Sequence, residues 1–319
     1  MKTVCIIILG PTAVGKTAIS LELAAAINGE IINGDLGQCY APLTVGTAKP
    51  AWKTSDIPHH LFDILDMPRS WSVVEYRQKV IEQIKDCAQR GKIPLVVGGS
   101  GFYIKSLITP VQHEEGKPLD DIFQNRSTQD LWQELRHVDP DRAQAIHPHD
   151  RYRIIRALTI WHQTGKKPSE YTLKYEKIAD YTHIIFLERD RSDLYHRIEE
   201  RATEMLRSGF IEEVESLDAH WRTFVCLKKI IGYEEVLSYI KKGDFSEQAL
   251  QKLKEQIVLK TKQYAKRQIT YNRMLINQLL ELQKQHHELV IDQVNLTISD
   301  VTLYLEQIVH KILSIYNEL

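Results

Sequence analysis

The chain has 319 residues, with 41 Lys and Arg against 42 Asp and Glu and a formal net charge of −1 at pH 7. A chain of this length buries a sizeable core and is expected to divide into two lobes, and its balanced charge excludes nucleic-acid binding carried by bulk charge, so any such surface has to be local. The cysteines Cys5, Cys39, Cys87 and Cys226 form no C-x-x-C pair and read as reduced thiols of a cytoplasmic protein without a zinc site, and no apolar run reaches the ~18 residues that a membrane span needs.

Residues 4–9, VCIIIL, are short, β-branched and unbroken, the pattern of a strand buried on both faces. A glycine loop follows directly, which argues against a signal peptide. Residues 16–28 read as a helix that stops at Gly29. Residues 31–34 form a second short strand, which puts Asp35 at its end, and 72–90 reads as helix. IPLVVGGS (93–100) is another buried strand running into a glycine turn, FYIKSLI after it starts a helix, and HIIFLER (183–189) is a further buried strand. Between the strands near 98 and 183 lies far more chain than a crossover requires. The polar stretch 111–175, punctuated by Pro118, Pro140, Pro148 and Pro168, is predicted to be an inserted helical lobe. Residues 1–110 and 176–319 then make the core. From about residue 190 to 285 the chain reads as helical, and a short strand (288–292) and an amphipathic helix (300–317; Val301, Leu305, Ile308, Ile312, Tyr316) close it.

The stretch GPTAVGKT (10–17) fits the phosphate-cradling pattern G-x-x-x-x-G-K-[ST], with a strand before it and a helix after it. Gly10, Pro11, Thr12, Ala13, Val14 and Gly15 let the backbone curl so that successive N–H groups point inward. The helix N-terminus adds partial positive charge, Lys16 adds a full one, and the Thr17 hydroxyl is the expected Mg²⁺ ligand. The loop calls for a polyphosphate and does not say which. With the alternating strands it predicts an α/β fold: a doubly wound parallel sheet of the P-loop NTPase type, with an inserted helical lobe and a helical C-terminal part. No buried strand ends in the acid pair that nucleotide hydrolases use for the metal shell, which counts against an ATPase.

Asp35 should stand at the carboxyl edge of the sheet, where ligands of open α/β sheets bind. A carboxylate there repels phosphates unless it serves the other reactant, as a general base; from spacing alone a turn or helix-cap aspartate is the competing reading.

The loop, together with DLGQCY…GTAKP (35–50), IPHHLFDILDMP (57–68), LVVGGSGFY (95–103), IHPHDRYRIIRAL (146–158), TGKKPS (164–169), RIEERATEMLRSGFIEEV (197–214), IIGYEEV (230–236) and TKQYAKRQIT (261–270), resembles the tRNA dimethylallyltransferases (tRNA isopentenyltransferases) of the bacterial type, block by block and in the family's order. The resemblance implies that the loop holds the diphosphate of dimethylallyl diphosphate. It also implies that the dimethylallyl group passes to N6 of the adenosine just 3′ of a tRNA anticodon, and that Asp35 takes the proton. Ser100 stands where the family usually has Thr and keeps a hydroxyl to position the diphosphate or the amine. Arg201 matches a diphosphate-contacting position; Arg197, one turn earlier, shares its face, while spacing alone pairs these arginines with Glu199, Glu200 or Glu204. Tyr264 is expected to pack.

The RNA contacts implied are Asp35, Leu36, Gly37, Gln38 and Ser100 at the site, Arg126 in the inserted lobe, the run Tyr152, Arg153, Ile154, Ile155 and Arg156 beside Arg151 and His147, and Lys228 and Lys229. Lys266 and Arg267 complete them, in a run with Lys260, Lys262 and Arg273 of which Lys262, Lys266 and Arg273 fall on one helical stripe. Gln38 would read the edge of a flipped-out adenine. Leu36 replaces the family's usual Ser, His149 an Asn and Tyr271 a Trp. The partners expected are tRNA (its anticodon stem-loop) and dimethylallyl diphosphate, with no membrane, and the protein is expected to be a cytoplasmic monomer. Two other readings of the loop stand beside this one: a P-loop kinase acting on a small metabolite, and a non-catalytic nucleotide-gated RNA-binding switch.

Overall fold

A computed structural model describes residues 3–109, 120–171 and 174–318. Six strands form one wholly parallel sheet in the order β3-β2-β4-β1-β5-β6. They are β1 (Val4–Leu9), β2 (Gly29–Asn33), β3 (His59–His60), β4 (Ile93–Gly98), β5 (Tyr181–Glu188) and β6 (Leu289–Asn295). β1 is buried along its whole length because it lies between β4 and β5 and is covered on both faces, which is why its sequence is an unbroken apolar run. The register runs Leu9 opposite Gly98 on one side and opposite Phe186 on the other.

The chain divides into two compact units. One comprises residues 1–107 with 177–319, the other 108–176. In the first unit, α1 (Lys16–Ala26) follows the glycine loop and α2 (Val73–Gln89) is opened by a capping box, in which Ser72 accepts from the Glu75 N–H and the Glu75 side chain accepts from that of Ser72. α3 (Gly101–Ile108) follows β4. In the second unit, α4 (Asp120–Phe123), α5 (Thr128–Val138), α6 (Pro140–Gln144) and α7 (Arg151–Thr164) close around Phe123, Leu131, Leu135, Ile154 and Leu158. The first unit then continues through α8 (Arg191–Arg207), α9 (Phe210–Ser216), α10 (Ala219–Leu227), α11 (Tyr233–Lys242), the long α12 (Glu247–Gln283) and α13 (Val301–Glu318).

Three expectations change in detail. The first helix ends at Ala26, and Gly29 opens β2 as its first residue, so the positive φ that ends the turn falls on Asn28 (54°). β2 starts two residues earlier than the apolar pattern alone marks. The PHHL segment contributes the edge strand β3, which is too short to show a period. No described helix is long and apolar enough to cross a membrane.

Candidate active site

Strand order builds the site. β2, β4, β1 and β5 are neighbours, and their carboxyl ends carry Asp35, Ser100, the phosphate loop and Arg189 in that order. A parallel sheet delivers all four to one edge, the ligand-bearing edge of an open α/β fold.

The loop is curled by positive φ angles at Ala13 (64°) and Gly15 (112°). It is held from outside by three arginines, two on its carbonyls and one on a hydroxyl. Arg189 Nε donates to the Val14 carbonyl at 2.7 Å, and Arg197 Nε donates to that of Ala13 at 3.0 Å. Arg201 Nη1 donates to the Thr12 hydroxyl at 3.0 Å. With the Ala13 and Val14 carbonyls turned to guanidiniums, the loop amides other than those of Thr12 and Val14, which donate to Gln268 and to the Pro11 carbonyl, are left to face an anion. Spacing alone had paired the α8 arginines with local glutamates. Instead Glu199 pairs with Lys262 and Glu200 with His196, while Arg197 and Arg201 both reach the loop. Arg189 drew no functional reading from sequence; an arginine directly after a buried strand at this edge was the available signal.

Lys16 Nζ donates to the carbonyls of Gly10 (3.0 Å) and Pro11 (2.9 Å). Burial pushes its ammonium down to about 8, with Asp35 opposing that shift and Arg201 adding to it. Burial also lowers Arg201, again opposed by Asp35. The Asp35 carboxylate therefore acts on both cations of the cradle. Its placement is local: the Asp35 N–H donates to Asn33 Oδ1 (2.8 Å), and Oδ1 of Asp35 accepts from the Gly37 N–H (3.0 Å). It caps the short 3-10 turn Leu36–Cys39, so the cap reading of this aspartate holds for Oδ1 and, among the described residues, leaves Oδ2 open to the site.

The segment after Asp35 is pinned by residues far along the chain. Gln38 Nε2 donates to the carbonyls of Thr47 (3.1 Å) and Ala48 (3.2 Å), which leaves only its oxygen for a base. The Lys49 ammonium, buried, donates to the Tyr40 carbonyl and pairs with Asp63 of the PHHLFD block. The Glu213 carboxylate accepts from the N–H groups of Thr44, Val45 and Gly46 and from the Tyr233 hydroxyl. Three sequence blocks thus converge on one loop.

On α12, Gln268 is buried, and its amide spans the Thr12 N–H and the Gly99 carbonyl. Tyr264 is half-buried beneath Arg267, whose guanidinium lies 5.8 Å from its ring centre. Lys266 and Arg267 are exposed, as are Lys228 and Lys229. Lys262 is paired with Glu199 and Lys260 with Glu234 and Glu235, so these two are engaged within the protein.

In the second unit Tyr152 is 79% exposed, and Arg153 is exposed. Ile155 and Arg156 are half-buried. Ile154 is fully buried in the helical core, so its side chain is not available to RNA. Arg151 is spent on the carbonyls of Phe123 and Arg126, and Arg126 is ion-paired with Glu134 at 2.5 Å.

Among the described residues one metal-compatible group stands apart from this edge: Glu30, His60 and Cys87. Arg90 forks onto Glu30, and burial and Glu30 push the Cys87 thiol up to about 12, so the group is read as a buried carboxylate paired with a partly exposed arginine.

The model for "IPP transferase" matches residues 38–275, and that for "Isopentenyl transferase" matches 3–56. A tRNA dimethylallyltransferase of Bacillus pumilus is 41% identical over 85% of this chain and 87% of its own. That of Anoxybacillus flavithermus is 39% identical over 84% and 86%. Among solved structures, a tRNA isopentenylpyrophosphate transferase of Bacillus halodurans is 29% identical, covers 100% of this chain and 98% of its own, and has a TM-score of 0.63. A eukaryotic dimethylallyltransferase acting on tRNA is 29% identical over 84% and 69%, with a TM-score of 0.72. These relatives are prenyltransferases, which sets aside the small-metabolite kinase that the loop alone had left open. The chain belongs to the IPP transferase family, the tRNA dimethylallyltransferases.

Proposed function

We propose that the chain transfers the dimethylallyl group of dimethylallyl diphosphate to N6 of the adenosine 3′-adjacent to the anticodon of tRNA and releases diphosphate. The observation that carries the reading is the strand order, which sets Asp35, Ser100 and the phosphate loop on three adjacent strands, with the Asp35 charge acting on Lys16 and Arg201.

The N6 lone pair attacks C1 of the allyl group, the C1–O bond breaks, and the electron pair leaves with the diphosphate. The proton lost from N6 goes to the free oxygen of Asp35. Lys16, Arg201 and the inward amides of the loop absorb the charge that builds on the leaving oxygens, donors worth about 10²–10³ in rate each. Ser100 positions the reacting groups. A flipped adenine is required, because a stacked base cannot reach this edge. Gln38 offers its carbonyl oxygen to the base.

The Thr17 hydroxyl, exposed at the start of α1 directly after Lys16, fits a Mg²⁺ ligand. When bound, that ion would neutralise diphosphate charge.

In the second unit Tyr152, Arg153, Ile155 and Arg156 offer an aromatic face beside positive charge, the means by which unpaired RNA is held. Asp35, Leu36, Gly37, Gln38, Ser100, Lys228, Lys229, Lys266 and Arg267 are the contacts proposed for the first unit. The protein is proposed to work as a monomer in the cytoplasm. Incubation of the protein with Mg²⁺, dimethylallyl diphosphate and a tRNA carrying adenosine after its anticodon should yield isopentenyladenosine on nucleoside mass analysis. Unchanged nucleosides at every enzyme concentration would defeat the reading.

A further inference from the structure

Gln268 lies in none of the roles above, yet its side chain bridges the two loops on either side of the reacting centre. Its Oε1 accepts from the Thr12 N–H at 2.9 Å, and its Nε2 donates to the Gly99 carbonyl at 2.8 Å. It is 7% exposed, and its partners lie 256 and 169 residues away in sequence. The approach is close enough to dictate the glycine beside Ser100: a Cβ on residue 99 would lie 2.7 Å from Nε2 of Gln268 and 3.5 Å from Nζ of Lys16. On the same face of α12, Tyr271 presses on Gly101, where a Cβ would meet its ring at 2.7 Å.

We propose that Gln268 is a positioning residue for the transfer reaction, setting the distance between the diphosphate cradle and the Ser100 turn; this rests on the function proposed above. At neutral pH an amide suits the place, because the site demands one acceptor and one donor on the same planar group and an ionised carboxylate only accepts. Its acceptance from Thr12 also withdraws that N–H from the inward-facing set, so it shapes which amides reach the diphosphate. Gln268 touches neither substrate in this arrangement; it acts through Thr12 and through Gly99, the neighbour of Ser100. A displacement of about 1 Å between reacting groups costs on the order of 10²-fold in rate.

The test uses Gln268→Met and Gln268→Glu in the full-length protein, with kcat, the KM values for donor and tRNA, and pyrophosphate binding by calorimetry. Gln268→Met should lower kcat by about 10–10²-fold while the tRNA KM stays within about threefold. Gln268→Glu keeps the Thr12 bond, sets a carboxylate against the Gly99 carbonyl and adds negative charge beside the cradle. Relative to wild type at each pH, its pyrophosphate affinity and kcat should be depressed at pH 8 and recover as the pH is lowered and the carboxyl, raised by burial against the Gly99 carbonyl, takes up a proton and again both donates and accepts. Taking the ratio to wild type removes the titration of the ligand itself. Should Gln268→Met fail to fold, the pH rescue of Gln268→Glu carries the test alone.

Variants matching wild type in kcat and pyrophosphate affinity, or a Gln268→Glu defect that is flat with pH, would overturn the proposal. A wild-type protein that binds pyrophosphate but makes no isopentenyladenosine would instead sink the functional reading. The pyrophosphate comparison would then still decide whether Gln268 sets the cradle.

Discussion

Arg201 reaches the Thr12 hydroxyl, 189 residues away in sequence, and holds it at 3.0 Å. The guanidinium is buried at the mouth of the phosphate loop, where its charge is felt by Lys16 and opposed by Asp35. A buried cation at that point is costly unless an anion arrives to meet it, which fits the diphosphate site proposed above. Arg201→Ala should lower kcat/KM for the donor by about 10²–10³-fold, and Arg201→Lys should recover only part of that, since a point charge does not replace a planar fork. Steady-state kinetics at saturating tRNA check both.

Lys16 sets the pH limit of donor capture. Burial has brought its pKa down to about 8, so the free enzyme carries the charge below that pH and loses it above. Donor kcat/KM reports the free enzyme. It should therefore be level below about pH 8 and fall tenfold per unit above it, while kcat changes less because bound diphosphate holds the proton on. Lys16→Met should remove the inflection together with about 10²–10³-fold of the rate. A pH–rate profile from pH 6.5 to 9.5 decides it.

Gly46 supports the loop that follows Asp35 without taking part in chemistry. A Cβ there would lie 2.3 Å from the Phe210 ring and 2.6 Å from that of Tyr233. Gly46→Ala should cost about 1–3 kcal/mol by overpacking, visible as a lower urea midpoint, with kcat per folded molecule near wild type.

These long-range supports explain which parts of the site could be read from sequence. β1, β4 and β5 announced themselves because a parallel strand buried on both faces has to be continuously apolar, and the glycine loop because phosphate cradling restricts residue type. Asp35 could be placed because it directly follows a strand. The partners of Lys49, Glu213, Arg189 and Gln268 could not, since each is fixed by the packing of segments over a hundred residues apart or by a loop-to-loop contact with no period. Ile154 and Arg151 show the opposite error: a basic run read as one surface splits between core and rim when wound on a helix.

Glu30 gives the fold an acid-sensitive point. The hydrogen bonds from Arg90, with His60 and Cys87 assisting against burial, hold its carboxyl at about 2, below the usual 4.5. A depressed carboxyl contributes stability that is fully present above the unfolded value and lost as pH falls toward the folded one. The loss should therefore run from about pH 4.5 to about pH 2. Glu30→Gln should be less stable than wild type at pH 7 and should show a smaller further loss between pH 5 and 3, measured by urea unfolding at each pH.

The free oxygen of Asp35 is the centre of the account, and single-turnover transfer by Asp35→Asn tests it most directly. With enzyme in saturating excess over tRNA, and the nucleosides read by mass, the variant should form isopentenyladenosine about 10²–10⁴-fold more slowly than wild type. Transfer at the wild-type rate by Asp35→Asn would contradict the assignment of this carboxylate as the proton acceptor.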